Sequence, residues 1–180
     1  MYGRNSTIRV KQKFCASCGK PCYWFSKKRC QQCARIEDTM ARMEQESDEV
    51  IKKEGLADLV KVADDVYSKQ LRLSSADEHG NVKCYTCDQE LRWQDAHCGH
   101  YLSRGNQLLR YDPRNTRVQC EGCNVHKDGN KAEYTKRLEA EHPGITEILK
   151  QEAALVYHPS RSELHGIIND CKRKLKQLKK

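Results

Sequence analysis

Cysteine is the residue type that most constrains how this chain can fold. The 180-residue chain holds eleven cysteines, and eight of them form four Cys-x-x-Cys pairs. In a reducing compartment such pairs indicate metal sites instead of disulfides, because thiols stay reduced there and thiolates bind zinc. Apolar residues make up only 37% of the chain, which is little for one large hydrophobic core. We therefore expect small folding units that depend on bound metal.

The four pairs combine into two predicted structural zinc sites. Two pairs separated by a loop can supply four thiolates to one tetrahedral zinc ion. The ligands of the first site are Cys15, Cys18, Cys30 and Cys33, and those of the second are Cys84, Cys87, Cys120 and Cys123. Cys22 lies between the first two pairs and is either an alternative ligand or a free thiol. The first site can act as a staple alone, or it can also place its neighbouring lysines against phosphate.

The charge of the chain indicates a polyanionic partner. Its 33 Lys and Arg residues outnumber its 25 Asp and Glu residues, which gives a net charge of +8. The stretch from Met1 to Arg35 contains no Asp or Glu, and basic residues also crowd the C-terminal end. These two groups are Arg4, Arg9, Lys11, Lys13, Lys20, Lys27, Lys28, Arg29 and Arg35, and Lys172, Arg173, Lys174, Lys176, Lys179 and Lys180. Nucleic acid is the first candidate partner, although a solubilising surface explains the charge equally well.

Membrane insertion is not expected from this sequence. No stretch approaches the roughly 18 apolar residues that a membrane-spanning helix needs. The first residues also lack the apolar segment of a signal peptide. We therefore expect a cytoplasmic protein with no membrane partner.

Charge, periodicity and turn signals divide the chain into four segments. They are an N-terminal zinc-binding module at 1–35, a helical connector at 36–75, a second zinc module with a long insert at 76–143, and a basic helical segment at 144–180. The final helix is expected to begin at Ser160, with Glu163 closing a capping box. Its apolar face is expected to pack within the chain, with a second subunit as the alternative.

Local patterns predict three further elements. Apolar residues at helical spacing predict a helix over 34–73. A turn signal at 77–81 leads into a short strand over Val82–Tyr85. Another helix is expected to start near Cys120 and to continue through Leu138.

The insert between the second two pairs resembles the HNH, or His-Me finger, nuclease motif. In that family a β-hairpin ends in a general-base histidine, an asparagine braces the hairpin loop, and a helix presents a metal ligand. His100 matches the base, Asn115 the brace and Asn124 the helix ligand, at the spacing that the family requires. The resemblance implies a small zinc-stabilised α+β fold. Its parts would be an N-terminal zinc ribbon or knuckle, connecting helices, a treble-clef-like ββα-metal nuclease domain, and C-terminal helices.

Over most of its length the chain is similar to the NinG/Rap recombination proteins of lambdoid phages. The shared motifs include Gly99-His100-Tyr101, Gln119-Cys120-x-x-Cys123-Asn124 and Gly129-Asn130. The resemblance implies a structure-specific, metal-dependent endodeoxyribonuclease that acts in the bacterial host cytosol. Its substrates would be branched recombination intermediates such as Holliday junctions, D-loops and flaps. Further partners would be a second copy of the chain, as a homodimer, and a phage recombinase.

The resemblance also assigns chemistry to individual residues. His100 would take a proton from water, while His97 and Asn124 would hold one catalytic divalent metal, Mg²⁺ or Mn²⁺. Relatives carry an aspartate at the position of His97, so Asp95 is an alternative ligand, and His97 can also belong to the structural zinc. Four basic residues are candidate DNA phosphate contacts: Arg104, Arg110, Arg114 and Lys127.

A non-catalytic zinc adaptor that binds DNA or a recombinase is the alternative function. The cysteine pairs and the basic charge fit an adaptor as well as they fit a nuclease. The ordered set of His100, Asn115 and Asn124 favours the nuclease, because a zinc staple requires none of these three side chains.

Overall fold

Short two-stranded hairpins alternate with helices along the chain. The computed structural model describes residues 13–22, 29–53 and 55–178, with the side chains of 44–53 left out. The strands are β1 (Lys13–Phe14), β2 (Pro21–Cys22), β3 (Asn81–Lys83), β4 (Glu90–Arg92), β5 (His97–His100) and β6 (Thr116–Gln119). The helices are α1 (Gln31–Lys53), α2 (Leu56–Ser74), α3 (Lys131–Glu141), α4 (Ile145–Ala153) and α5 (Arg161–Gln177). Among these helices, none is both long enough and apolar enough to span a bilayer.

The chain divides into two compact units, one that ends at Glu49 and one over Val50–Leu178. Several predicted basic residues lie outside the described residues, namely Arg4, Arg9, Lys11, Lys27, Lys28, Lys179 and Lys180. In the first unit, β1 and β2 pair in antiparallel fashion on either side of a tight turn. Gly19 adopts a φ of +67° in that turn, a conformation that glycine reaches without steric cost.

The helical connector consists of two helices and not of one continuous helix over 34–73. Its first helix, α1, ends at Lys53, and Gly55 then lies in extended conformation with φ −90° and ψ 132° before α2 begins. Glycine favours this break because it has a large conformational entropy to lose inside a helix. The predicted helical stretch is thus made of two helices, in keeping with the connecting helices that the resemblance implies.

The second unit is held together partly by packing between α2 and α5. From α2 the buried face includes Leu59, Ala63 and Val66, and from α5 it includes Leu164 and Ile168. Full burial of each of the Leu, Val and Ile side chains contributes roughly 1.5–3 kcal/mol. The apolar face of the last helix thus packs within the chain, as predicted.

The capping box predicted for α5 is confirmed. The Ser160 side chain accepts a hydrogen bond from the Glu163 backbone N–H, and the Glu163 carboxylate accepts one from the Ser160 N–H at 2.8 Å. Both bonds satisfy backbone donors that the first turn of a helix leaves without partners.

Two hairpins flank the second group of cysteines. In the first hairpin β3 pairs with β4, and in the second β5 pairs with β6, both antiparallel. The strand expected over Val82–Tyr85 ends earlier, at Lys83, because Cys84 already begins a turn in which its N–H donates to the Gln89 carbonyl. Val82, Ala96 and Val118 form a small core between the hairpins.

The helix predicted from Cys120 through Leu138 is interrupted. A π-helical turn covers Gly122–His126, and α3 starts only at Lys131. Between them Asp128, Gly129 and Asn130 have φ angles of 47°, 79° and 48°. Such left-handed residues cannot continue a right-handed helix, so the prediction of one helix was wrong here.

A second apolar core lies where α3 and α4 meet the loop after β5. It consists of Tyr101, Leu109, Tyr134, Leu138, Ile145 and Leu149. Tyr134 is fully buried, and its ring centroid lies 4.9 Å from that of Tyr85 and 5.5 Å from that of Tyr101. This core fixes α3 against the end of β5, where the predicted site residues begin.

Candidate functional site

The first cysteine group is assembled as predicted. Its four sulfur atoms, from Cys15, Cys18, Cys30 and Cys33, all lie within 4.8 Å of one another. The sulfurs of Cys18 and Cys30 are 3.8 Å apart. A zinc–sulfur bond of about 2.3 Å in a tetrahedron gives sulfur–sulfur distances of about 3.8 Å, so the group suits one zinc ion. Cys22 is not a member of this group.

The second group brings together Cys84, Cys87, Cys120 and Cys123, again with all sulfurs within 4.8 Å. The sulfurs of Cys87 and Cys120 are 3.7 Å apart. Burial raises the pKa of Cys84, but hydrogen bonds from the Cys120 and Thr86 backbone outweigh it and lower this pKa. A stabilised thiolate is the form that binds zinc. His97 is not needed as a ligand here, because four cysteines already complete the set.

His97 and Asn124 meet beside this second group. His97 is the first residue of β5, and Asn124 lies in the π-helical turn that follows Cys123. The distance between His97 Nδ1 and Asn124 Nδ2 is 3.2 Å. The alternative residue, Asp95, is exposed in the turn between β4 and β5. Of the two candidates that precede His100, the structure therefore places His97 against Asn124.

The atoms of this pair are suitable for a divalent cation. A half-turn of the Asn124 amide exchanges Nδ2 and Oδ1, which have nearly the same shape, and so directs an oxygen towards His97 Nδ1. Imidazole nitrogen and amide oxygen together accept Mn²⁺ or Zn²⁺ and, less well, Mg²⁺. The two side chains are also partly exposed, which leaves the site open to solvent and ligands.

His100 ends the same strand and faces the other way. Successive side chains of a strand point to opposite faces, so His97 and His100 leave opposite faces of β5. The His100 Nε2 lies 3.0 Å from the Arg110 carbonyl oxygen. Because a carbonyl can only accept, Nε2 carries the proton and Nδ1 of the neutral ring keeps its lone pair. Burial lowers the pKa of His100, which favours this neutral form.

Asn115 makes the hydrogen bonds that a brace for the hairpin loop needs. Its side chain is fully buried at the start of β6. The Leu102 N–H donates to Asn115 Oδ1 at 2.7 Å, and Asn115 Nδ2 donates to the Leu102 and Leu109 carbonyls, each at 3.0 Å. These three bonds tie both sides of the loop that follows His100.

The four predicted phosphate contacts fall into two classes. Arg104 and Lys127 are exposed. In contrast, Arg110 forms a bidentate ion pair with Asp64, with nitrogen–oxygen distances of 2.7 and 2.5 Å. Arg114 is similarly bound, to Asp112 at 2.6 Å and to Glu152 at 2.7 Å. Both of these arginines thus have intramolecular carboxylate partners, and the four phosphate contacts stay predictions.

Sequence reasoning assigned no role to three residues that surround the site. Asp64 on α2 neutralises Arg110, whose carbonyl orients His100. Lys131 Nζ donates to the His100 carbonyl at 2.9 Å. Gln119 is fully buried at the end of β6. Only Gln119 carried a signal, as part of the Gln-Cys-x-x-Cys-Asn motif, whereas one Asp or Lys on a helix carries none.

One comparison with known proteins gives a match. Residues 4–180 match the protein family described as Bacteriophage Lambda NinG protein. The comparisons with curated proteins and with solved structures give no match. The family match covers nearly the whole chain, including both cysteine groups, the β5–β6 hairpin and the π-helical turn.

Proposed function

The chain belongs to the family of bacteriophage lambda NinG proteins, and from that premise we propose that it is a metal-dependent endonuclease of branched DNA. The proposal includes an HNH, or ββα-metal, arrangement made of β5, β6 and the segment from the π-helical turn to α3. The observation that carries it is the 3.2 Å contact between His97 and Asn124. Two chemically suitable ligands from separate elements meet there, beside a cysteine group that can serve as a scaffold.

The proposed mechanism assigns proton transfer to His100. Its Nδ1 takes a proton from a water molecule, and the hydroxide so formed attacks phosphorus. The bond between phosphorus and the 3′ oxygen breaks, and the 3′ oxygen leaves and takes up a proton from solvent. The Arg110 carbonyl holds the ring in the required tautomer, since its oxygen accepts a hydrogen bond from Nε2–H. Asn115 fixes the loop that carries this carbonyl, through its bond to the adjacent Leu109 carbonyl.

His97 and Asn124 would hold the divalent metal, which supplies a positive charge next to the scissile phosphate. His97 and His100 lie at opposite ends of β5 and on opposite faces, so the proposal requires the base and the metal to approach the scissile phosphate from different sides of the strand. Arg104 and Lys127 are exposed and can contact flanking phosphates.

Branched DNA is the proposed substrate because of the family, whose phage proteins act in recombination, and because of the charge of +8. A polyanion attracts such a chain without regard to sequence. The proposal extends to a phage recombinase and a second copy of the chain as further partners, and to the bacterial cytosol as the compartment.

A cleavage assay on labelled DNA tests the proposal. The substrates are a four-way junction, a flap and a linear duplex of equal length, each incubated with Mg²⁺, Mn²⁺ or a chelator. We expect metal-dependent nicking of the branched substrates, and a rate about 10²- to 10⁴-fold lower for His100→Ala. His79→Ala serves as the control, because His79 is an exposed histidine in the turn before β3.

Three outcomes of this assay discriminate between the assignments. If the wild-type protein binds the junction but leaves it intact with every metal, the zinc adaptor is the correct function. If His100→Ala cuts at the wild-type rate, His100 is not the general base, and the other assignments stand. Normal cutting by His97→Ala with the same metal dependence removes the assignment of the metal site.

A further inference from the structure

One buried oxygen in the second unit has no hydrogen-bond donor. Gln119 is fully buried, and its Oε1 finds no donor among the described residues. Nearly all buried polar atoms in proteins are hydrogen-bonded, and a buried acceptor without a partner costs about 1–3 kcal/mol. Such an atom can be satisfied by a bound water molecule or a metal ion, neither of which the protein chain supplies.

The other end of the same amide is fully bonded, which fixes where the oxygen points. Gln119 Nε2 donates to Thr86 Oγ1 at 2.9 Å and to the Gly129 carbonyl at 2.8 Å. The Gly129 carbonyl can only accept, so the nitrogen must occupy this position and a flipped amide is excluded. Oε1 consequently remains directed away from Thr86 and Gly129.

The strand register places this oxygen on the His97 side of the hairpin. Gln119 lies directly opposite His97, so the two side chains share one face, with Cβ atoms about 4.5–5.5 Å apart. Gly99 lies on the same face, two residues along the strand. A Cβ built on Gly99 would lie 2.1 Å from Gln119 Oε1, so the oxygen occupies the space that a side chain at position 99 would need.

We infer that Gln119 Oε1 is a third ligand of the divalent metal held by His97 and Asn124. The inference rests on the proposed function, since it completes the same site. It gives the partnerless oxygen a bonding partner, while the two hydrogen bonds of the Gln119 nitrogen keep that oxygen in place. The resulting set of one imidazole nitrogen and two amide oxygens suits Mn²⁺ well.

The first test displaces the oxygen without changing Gln119. In Gly99→Ala the new methyl group must push the end of the Gln119 side chain away, because a Cβ at position 99 would lie 2.1 Å from Oε1, 2.7 Å from Cδ and 2.8 Å from Cγ. The φ of Gly99 is not in the left-handed region, so the backbone itself accepts alanine. The zinc-loaded protein is titrated with Mn²⁺, and free Mn²⁺ is measured by electron paramagnetic resonance. We expect the Mn²⁺ dissociation constant to rise about tenfold or more. Gly166→Ala is the matched control, because a Cβ there meets nothing within 4 Å.

The second test changes the ligand atom itself. Gln119→Met removes the oxygen at similar volume and should also weaken Mn²⁺ binding about tenfold or more. Gln119→Glu supplies a carboxylate oxygen and should bind Mn²⁺ at least as tightly as the wild type, since carboxylates are stronger ligands for this ion. If Gln119 had only a structural role, both variants would bind Mn²⁺ more weakly, because each loses the donor to the Gly129 carbonyl.

The outcomes separate this inference from the proposed function. Weaker binding in Gly99→Ala and Gln119→Met, with binding kept in Gln119→Glu, supports the third ligand. If His97→Ala abolishes Mn²⁺ binding while Gly99→Ala binds like the wild type, the third ligand is wrong and the two-residue site stands. If the wild type neither binds Mn²⁺ nor nicks branched DNA, the site and the proposed function fail together. Zinc content and circular dichroism confirm that each variant is folded.

Discussion

The surroundings of His100 lower the pKa of its imidazole ring. Burial lowers its pKa from the ordinary value of 6.5, and the hydrogen bonds to the Arg110 and Cys98 backbone only partly offset this effect. The ring is therefore neutral at physiological pH, and one nitrogen keeps a lone pair. A general base needs this state before substrate arrives.

The lowered pKa predicts how the unfolding free energy depends on pH. Between the folded pKa and 6.5, the unfolded chain binds the His100 proton and the folded chain does not. The contribution of His100 is thus fully present above 6.5 and is lost as the pH falls below it, by at most about 1.4 kcal/mol per pH unit. We expect His100→Gln to lose less unfolding free energy than the wild type between about pH 7.5 and about pH 5.5.

Urea denaturation at several pH values measures this difference. His79→Gln is the control for the general effect of removing a histidine, because His79 is exposed. The interpretation is wrong if the wild type and His100→Gln show the same pH dependence.

At the scale of single elements, helix ends decide much of the architecture. The α5 helix begins with a complete capping box, whereas the helix expected after Cys120 is broken by three left-handed residues. The turn formed at this break contacts the second cysteine group. Asn130 Nδ2 lies 3.8 Å from the Cys123 sulfur and 3.4 Å from the Thr86 carbonyl, so the turn closes over the second cysteine group.

The capping box predicts the effect of two substitutions at Ser160. Ser160→Ala removes the acceptor for the Glu163 N–H and should lower the unfolding free energy by about 1 kcal/mol, whereas Ser160→Gly should cost only a few tenths. Ser162→Ala is the control, since Ser162 is exposed in the same turn. Thermal unfolding followed at 222 nm (a helix signal) measures the differences. Equal melting temperatures for Ser160→Ala and Ser162→Ala would show that the cap contributes nothing.

At the scale of the whole molecule, metal binding is expected to be part of folding. Each unit contains one group of four cysteines, and zinc binding by comparable small sites contributes roughly 10–16 kcal/mol. That is as large as the total stability of a typical domain, about 5–15 kcal/mol. Loss of zinc from one group should therefore unfold the unit that contains it.

Two double variants test this expectation. The variants are Cys15→Ser with Cys18→Ser, and Cys84→Ser with Cys87→Ser. After dialysis the wild type should hold two zinc ions and each variant one, as measured by atomic absorption. Only the second variant should lose the near-ultraviolet circular dichroism of the tyrosine core around Tyr134. A protein that keeps this signal after the second change, with its zinc gone, would show that packing alone holds the unit together.

The sequence was sufficient for features that depend on short spacings. Both cysteine groups follow from Cys-x-x-Cys pairs, since two residues between thiols suit one tetrahedral ion. The cap of α5 follows from Ser160 and Glu163, three residues apart in the first turn. The nuclease assignment of His100, Asn115 and Asn124 also came from spacing and remains a proposal.

Only the tertiary structure decided the features that depend on distant partners. Arg110, a predicted DNA contact, pairs with Asp64, which lies 46 residues away in the chain. His97, and not Asp95, contacts Asn124 because the register of β5 and the π-helical turn bring these two together. Local spacing fixes which atoms can share an ion or a cap, whereas the choice among many possible charged or polar partners is made by packing, which brings remote residues within hydrogen-bond distance.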